Sequence, residues 1–247
     1  MGGMPVFSHD SARRVHPNRD TGLPLANREA VRDLEQLASR TKTIGTTGMR
    51  FQVVSDMLAT WVSVMHPAGL GDDVPLVLGL RAQLLPGQPE AGLDPGFWDG
   101  LDVVFDLEAV TERTARMVSQ ESAWFSFPPR QLRVTWTAIT PPRQGWELRA
   151  TVDDDDISTV ARAGIEELAQ SLPTNPGESL VSRARAQVWS RMLGDAERAQ
   201  FPAGAAMGAY TLGFLEPGGT TTVHQTGVWT RLSSRRGTIL TRRAVAL

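Results

Sequence analysis

The residues with the most chemical potential in this chain of 247 residues are four consecutive aspartates, four scattered histidines and a cluster of C-terminal arginines. The run Asp153-Asp154-Asp155-Asp156 would suit a divalent cation, because hard cations take clustered carboxylate oxygens. Consecutive residues entering a helix point in different directions, however. The run also lacks the alternating spacing and the glycine of a calcium loop. Its expected role is local: one aspartate caps the following helix and the others favour its positive end. Gly71-Asp72-Asp73 and Asp94, Asp99, Asp102 and Asp106 read in the same way, as loop and cap residues.

His9, His16, His66 and His224 form no HxH, HExxH or HxxxH pair, so a local metal signature is missing. His224 is the one histidine inside an expected strand. As a general base it would need an orienting carboxylate, and Glu216 is the only acid after Glu197. Cysteine is absent, which excludes disulfides, thiolate nucleophiles and Cys-ligated zinc or iron–sulfur centres. No GxSxG elbow occurs. Gly45-Thr46-Thr47-Gly48 lacks the Lys-Thr/Ser ending of a P-loop. Gly204-Ala205-Ala206-Met207-Gly208 precedes an expected strand, whereas a dinucleotide loop follows a strand and opens a helix. No cofactor and no metal is expected, and the balance is against an enzyme. The enzymatic alternative is a non-local site near His224 and the acidic helix start.

Arg231, Arg235, Arg236, Arg242 and Arg243 fall on two expected strands and their turn. Pairing would gather them into a patch for phosphate or an acidic partner. The bland reading is a solvated sheet edge whose charge discourages aggregation. Residues 175–247 hold nine arginines against four acids, about +5, while the whole chain is −2. Lys42 is the single lysine among 25 cationic residues, which is most simply the codon bias of a GC-rich bacterial genome. That bias weakens any claim that arginine was selected at one position. Of seven tryptophans, Trp61, Trp136, Trp146 and Trp189 are placed as core. Trp98, Trp124 and Trp229 are the candidates for exposed contact surface, since tryptophan is favoured at interface hot spots.

The elements that must position these residues read as an α+β fold. Residues 1–26 look like an extended arm, with arginines interleaved among prolines. Residues 27–247 read as a single α+β domain. If that domain divides at all, the place is near 86–96, between a helical part (27–85) and a sheet-containing part (97–247). Asn27 caps a helix to about Arg40, and a second helix is expected from about Met49 to Met65 on the stripe Phe51, Val54, Leu58, Trp61, Val62 and Met65. Val74 to Leu85 is read as a strand. The proline- and glycine-rich stretch 86–96 is a loop. A helix capped by Asp106 follows, over Leu107 to about Gln120.

Leu132, Val134, Trp136 and Ala138 alternate with polar residues, as do Trp146, Leu148, Ala150 and Val152. This predicts a hairpin with one buried face. Helices are expected over Asp155–Leu172 and from Glu178. Strands are then expected at Tyr210–Glu216, Thr221–Leu232 and Thr238–Ala244. The expected architecture is an antiparallel sheet of about five to six strands in the C-terminal half, with helices mainly on one face and a helix-rich N-terminal half. The element order from Trp146 through Leu172 to the final hairpin resembles the actinobacterial type VII secretion chaperones. That resemblance covers the C-terminal half, rests on element order rather than a motif, and implies an α+β binding protein without catalysis.

Composition and pattern together predict a non-enzymatic binding protein, in a chaperone, adaptor or assembly role. Its partner would be another protein, favouring an acidic one, or a second copy of itself. Nucleic acid is the less favoured partner. No apolar run approaches the roughly 20 residues of a membrane span. The first ten residues lack a signal-peptide layout, so a cytoplasmic location is expected.

Overall fold

The computed structural model describes residues 20–67, 69, 74–87, 95–195 and 199–243. Most of the expected arm, together with Gly71-Asp72-Asp73, Asp94 and most of the 86–96 loop, lies outside the described residues. In chain order the strands are β1 (Gly22–Pro24), β2 (Gly48–Val54), β3 (Met57–Met65), β4 (Leu76–Leu84), β5 (Asp102–Asp106), β6 (Trp124–Ser126), β7 (Glu147–Asp153), β8 (Met192–Asp195), β9 (Ala199–Pro202), β10 (Thr220–Thr226), β11 (Trp229–Ser233) and β12 (Thr238–Arg242). The helices are α1 (Arg28–Lys42), α2 (Leu107–Ser119), α3 (Asp154–Ser171), α4 (Glu178–Trp189) and α5 (Ala203–Thr211).

Two helix starts follow the sequence signals. Asn27 Oδ1 accepts the Ala30 amide at 2.9 Å, and Asp106 Oδ1 accepts the amides of Glu108 and Ala109. Each bond satisfies a donor that the first helical turn leaves free. β4 forms where a strand was expected.

The helix expected over 49–65 is instead the hairpin β2–β3. Met49, Phe51 and Val53 alternate on one face, and Val54 pairs with Met57 around a two-residue turn. Ser55 in that turn takes φ 58°, the left-handed geometry that tight hairpins require. β3 is apolar on both faces. A strand buried on both sides therefore shows a near-continuous run that also satisfies a helical stripe.

Three further expectations change. Residues 132–138 are not a paired strand: a 3-10 turn spans Thr135–Ala138, and its alternation reflects one buried anchor, Trp136, with Val134 and Ile139 packed beside it. The strand expected at Tyr210–Glu216 gives way to α5 and its following turn. Residues 203–209 of α5 are all buried, and a helix buried all round shows no amphipathic period. Thr221–Leu232 is two strands, with Thr226 paired to Trp229 around Gly227-Val228. The expected order of two strands, two helices and three strands is thus not the observed one.

The main sheet is antiparallel with order β5-β2-β3-β4-β12-β11-β10-β7. It has eight strands and spans both halves of the chain, which corrects the smaller C-terminal sheet and the helix-rich N-terminal half. The two four-stranded halves join where β4 pairs with β12, from Leu76↔Arg242 to Leu80↔Thr238. In each half a helix leads into a three-strand meander (α1 into β2-β3-β4, α5 into β10-β11-β12). In each, a further strand lies beside the meander's first strand and runs into a helix (β5-α2, β7-α3). That strand–helix pair follows the meander in the first half and precedes it in the second. The two arrangements therefore match in space while no period appears in sequence.

Successive strand residues face opposite sides, so the sheet carries two cores. Val77 and Ile239 face the helices, with Leu34, Val110, Ile157 and Met207 packed in the same core. Leu76, Leu78 and Leu240 face the other way, where Trp61, Trp136 and Trp229 complete a smaller cluster. The strap of residues 128–146, which joins the two halves, covers that second core. Among the described residues no helix is long and apolar enough to cross a membrane.

Candidate functional site

The tail arginines do not form one patch. Arg235 and Arg236 lie in the β11–β12 turn, where both meet the Glu216 carboxylate; Arg236 Nε donates to Oε1 at 2.7 Å and Arg235 lies 3.8 Å from Oε2. Arg243 donates to Gln200 Oε1 at 2.8 Å. These three are engaged within the chain. Arg231 and Arg242 remain, on the strand side of the sheet. Arg231 pairs with Leu240 and Trp229 with Arg242, so the two arginines are diagonal neighbours, about 7–8 Å apart at the backbone. The Arg231 guanidinium carbon sits 4.7 Å from the Trp146 ring centroid, a cation–π contact. Its Nε is buried without an acceptor, and burial lowers its pKa. Among the described residues neither Arg231 nor Arg242 forms an ion pair with a carboxylate.

Two of the three tryptophans proposed as contact surface are core. Trp98 is fully buried and its Nε1 donates to the Gly22 carbonyl at 3.0 Å. Trp229 lies in the strand-side cluster. Trp124, in β6, is half-buried and edge-on to Trp98. Glycine and proline neighbours mark Trp98 as a loop residue, but they carry no information on which way the loop folds; this one tucks beneath β1.

The enzymatic alternative needs His224 near a carboxylate. β10 instead places His224 opposite Arg231. Its Nδ1 is buried without a partner, and its pKa is lowered, first by burial and then by the Arg231 charge. The aspartates are elsewhere. Thr221, three residues along β10, donates to Asp154 on the helix side, which leaves His224 roughly 10 Å further along the strand at about 3.3 Å per residue.

The aspartate run has a structural task other than the expected cap. Asp153 makes no side-chain cap bond. Buried Asp154 accepts the Glu216 amide at 2.9 Å and the Thr221 hydroxyl at 2.6 Å, and Asp155 accepts the Gly218 amide at 3.1 Å. The run anchors the loop that enters β10. Among the described residues no cluster of three or more His, Asp or Glu side chains could hold a metal.

Sequence reasoning missed a groove of about 690 Å³ on the helix side, between α1, α3, α4 and α5. Arg40 of α1, Arg162 of α3 and Arg185 of α4 converge on it. Arg162 lies 5.7 Å from the Tyr210 ring centroid. Arg185 donates to the Ile44 carbonyl at 3.1 Å. Arg40 rests against Gly213, where φ is +70° and an added Cβ would collide with the guanidinium. The groove's two acids, Asp155 and Glu216, are already engaged by Gly218 and by the turn arginines. The three arginines are spaced over 145 residues of sequence and meet only once the two halves share a sheet, so no local motif could announce them.

Residues 141–246 match the model of a domain of unknown function, DUF8185. No curated protein matches the chain. Among solved structures it is similar to the DNA polymerase III subunit beta of Pseudomonas aeruginosa, with a TM-score of 0.48 and 8% identity over 92% of this chain and 65% of that one. A DNA polymerase sliding clamp from the same organism gives a TM-score of 0.47 and 7% identity, with the same coverage. A. fulgidus PCNA, in a structure with the C-terminal region of FEN-1, gives 0.42 and 10% over 92% of this chain and 98% of that one. The chain thus spans about 65% of the length of the two Pseudomonas aeruginosa proteins. At these identities and TM-scores the likeness assigns no function.

Proposed function

We propose that the protein is a non-catalytic binding protein that holds an acidic segment of another protein against the strand side of its C-terminal half. Arg231 and Arg242 are the charged contacts, and Trp146 braces the first of them. The observation that carries this reading is their diagonal placement on one sheet face, with no carboxylate paired to either among the described residues. A partly desolvated guanidinium gains more from a carboxylate than an exposed one does, because the local dielectric is lower. Burial has already removed part of Arg231's hydration, so less of it remains to be displaced when a carboxylate arrives. Of the remaining tail arginines, Arg236 and Arg243 are hydrogen-bonded within the chain, and Arg235 shares the Glu216 carboxylate with Arg236.

The test is binding of a fluorescent oligoglutamate peptide at two salt concentrations. Substituting both Arg231 and Arg242 by Gln should weaken binding at least about tenfold, at roughly 1.5–3 kcal/mol per charge-assisted hydrogen bond. The double substitution Arg235→Gln/Arg236→Gln should leave it within about twofold. Equal loss in both variants would reduce the effect to net charge and sink the assignment. Tighter binding of DNA or RNA than of the peptide, with a steep salt slope, would replace the acidic protein with nucleic acid.

A further inference from the structure

We propose that the groove between α1, α3, α4 and α5 is a binding site for a small phosphate-bearing ligand with a flat or apolar body. It lies on the opposite face of the sheet from Arg231 and Arg242 and shares no residue with that pair. Its volume of about 690 Å³ falls within the ~300–1,000 Å³ typical of ligand pockets.

Charge sets the class of ligand. Three guanidinium groups enter from three different helices, and among the described residues none of them forms an ion pair with a carboxylate. The wall also carries Asp155, which accepts the Gly218 amide, and Glu216, which pairs with Arg235 and Arg236; neither forms an ion pair with the three arginines. A single carboxylate is satisfied by one arginine fork. Three guanidinium groups lining one cavity match an anion with more charge and more acceptor oxygens, which is the chemistry of a phosphate or diphosphate. The bland account of Arg40 is a favourable interaction with the C-terminal end of α1. Its guanidinium instead crosses to Gly213, a residue with φ +70° whose missing Cβ leaves the space that the guanidinium fills.

The rest of the lining suits the body of such a ligand. Trp189 and Met207 are buried, and Ile165 and Leu168 extend the apolar wall. Tyr210 presents a partly exposed ring whose face is already held by Arg162. Apolar walls with a few convergent polar groups are the usual build of a small-molecule site.

The experiment is calorimetric titration of the full chain with pyrophosphate, with ADP as a probe carrying both diphosphate and ring, and with sodium sulfate as a charge control. Saturable binding at one site per chain is expected, tighter for ADP than for pyrophosphate, with sulfate at least tenfold weaker than either. Arg40→Gln and Arg162→Gln should each weaken ADP binding about tenfold or more while lowering the thermal midpoint by no more than about 4 °C, since Arg40 fills the space at Gly213 and Arg162 rests on Tyr210 without either forming an ion pair among the described residues. Arg185→Lys, which keeps a donor for the Ile44 carbonyl, should also weaken it. Arg231→Gln/Arg242→Gln should bind ADP as the parent does. The proposal is overturned by no saturable binding of either phosphate probe, by equal binding of sulfate, or by unchanged ADP affinity in the Arg40→Gln/Arg162→Gln double variant. Tighter binding of an acidic peptide than of ADP, lost in that same double variant, would also overturn it in favour of a protein ligand.

Discussion

Gly164 on α3 faces the indole of Trp189 on α4 so closely that a Cβ added at Gly164 would collide with the six-membered ring. The contact fixes how near α4 can approach α3, and Trp189 in turn forms part of the groove that holds Arg162 and Arg185.

Gly164→Ala therefore sets two effects against each other. Alanine in a helix interior gains about 1 kcal/mol over glycine. Overpacking a tight contact costs typically about 1–3 kcal/mol. Trp189 is a large ring buried to 2% exposure, with little freedom to turn away, so the loss should win. A net destabilisation of about 1–2 kcal/mol is expected in urea unfolding, and a stabilised variant would show that α4 slides freely on α3.

Asp154 should be the costliest of the four aspartates to remove. Its carboxylate is buried and receives both the Glu216 amide and the Thr221 hydroxyl. Asp154→Ala strands those donors, at about 1–3 kcal/mol for each unsatisfied buried group. Asp156 makes no comparable bond and is exposed, so Asp156→Ala should change stability by less than about 0.5 kcal/mol. Hydrogen exchange at the Glu216 amide should accelerate in the first variant alone. Equal costs for the two variants would return the run to a generic helix-dipole role.

Local rules carried the reading as far as local signals reach. Asn27 and Asp106 cap the helices that begin after them, and Val74–Leu85 forms its strand. The failures have one physical source. β3 and α5 are buried on nearly every side, and burial from all directions erases the periodicity that separates helix from strand. The strap around Trp136 shows the opposite error, since a single buried tryptophan between polar neighbours imitates alternation. Of the candidate site residues, Arg231 and Arg242 could be placed on one face from strand register. Nothing in the sequence shows that Glu216 engages Arg235 and Arg236, or that Gln200 engages Arg243. The convergence of Arg40, Arg162 and Arg185 depends on β4 pairing with β12, a contact between segments more than 150 residues apart.

His224 gives the stability a pH dependence whose sign is fixed by its surroundings. Burial and the Arg231 charge hold its folded pKa below the ordinary 6.5. Below pH 6.5 the unfolded chain then binds the proton more readily than the native one. Stability is fully present above that value and declines as pH falls toward the folded pKa. Glu167, whose pKa Arg191 lowers chiefly through their hydrogen bond, loses its contribution only below about 4.5, so the two windows separate. His224→Gln should flatten the dependence of the urea midpoint between pH 7 and 5 and leave the acid limb intact. An unchanged slope would assign that window to other groups.

The strap of residues 128–146 should open without the rest of the molecule. Among the described residues its ties to the sheet are few: the Leu132 amide donates to the Val104 carbonyl at 2.8 Å, Gln131 bridges Phe105, Trp146 stacks on Arg231, and Trp136 supplies the buried anchor against Trp61, Leu76, Leu78 and Trp229. A segment with one large apolar anchor and little backbone pairing belongs at the low end of local stability. Trp136→Ala removes the anchor, and full truncation of a buried tryptophan costs about 3–5 kcal/mol where the site cannot collapse. The strap can instead lift off and let water reach the cavity, so the global cost should fall below that range. Exchange at Leu132 and Thr137 and tryptic cleavage at Arg130, Arg133 and Arg143 should rise, while amides of β4 and β12 stay protected. Trp146 leaves with the strap, so Arg231 loses its aromatic brace and oligoglutamate binding should weaken several-fold. Uniform loss of protection across β4, β12 and the strap would show instead that the strand-side core and the sheet unfold as one unit.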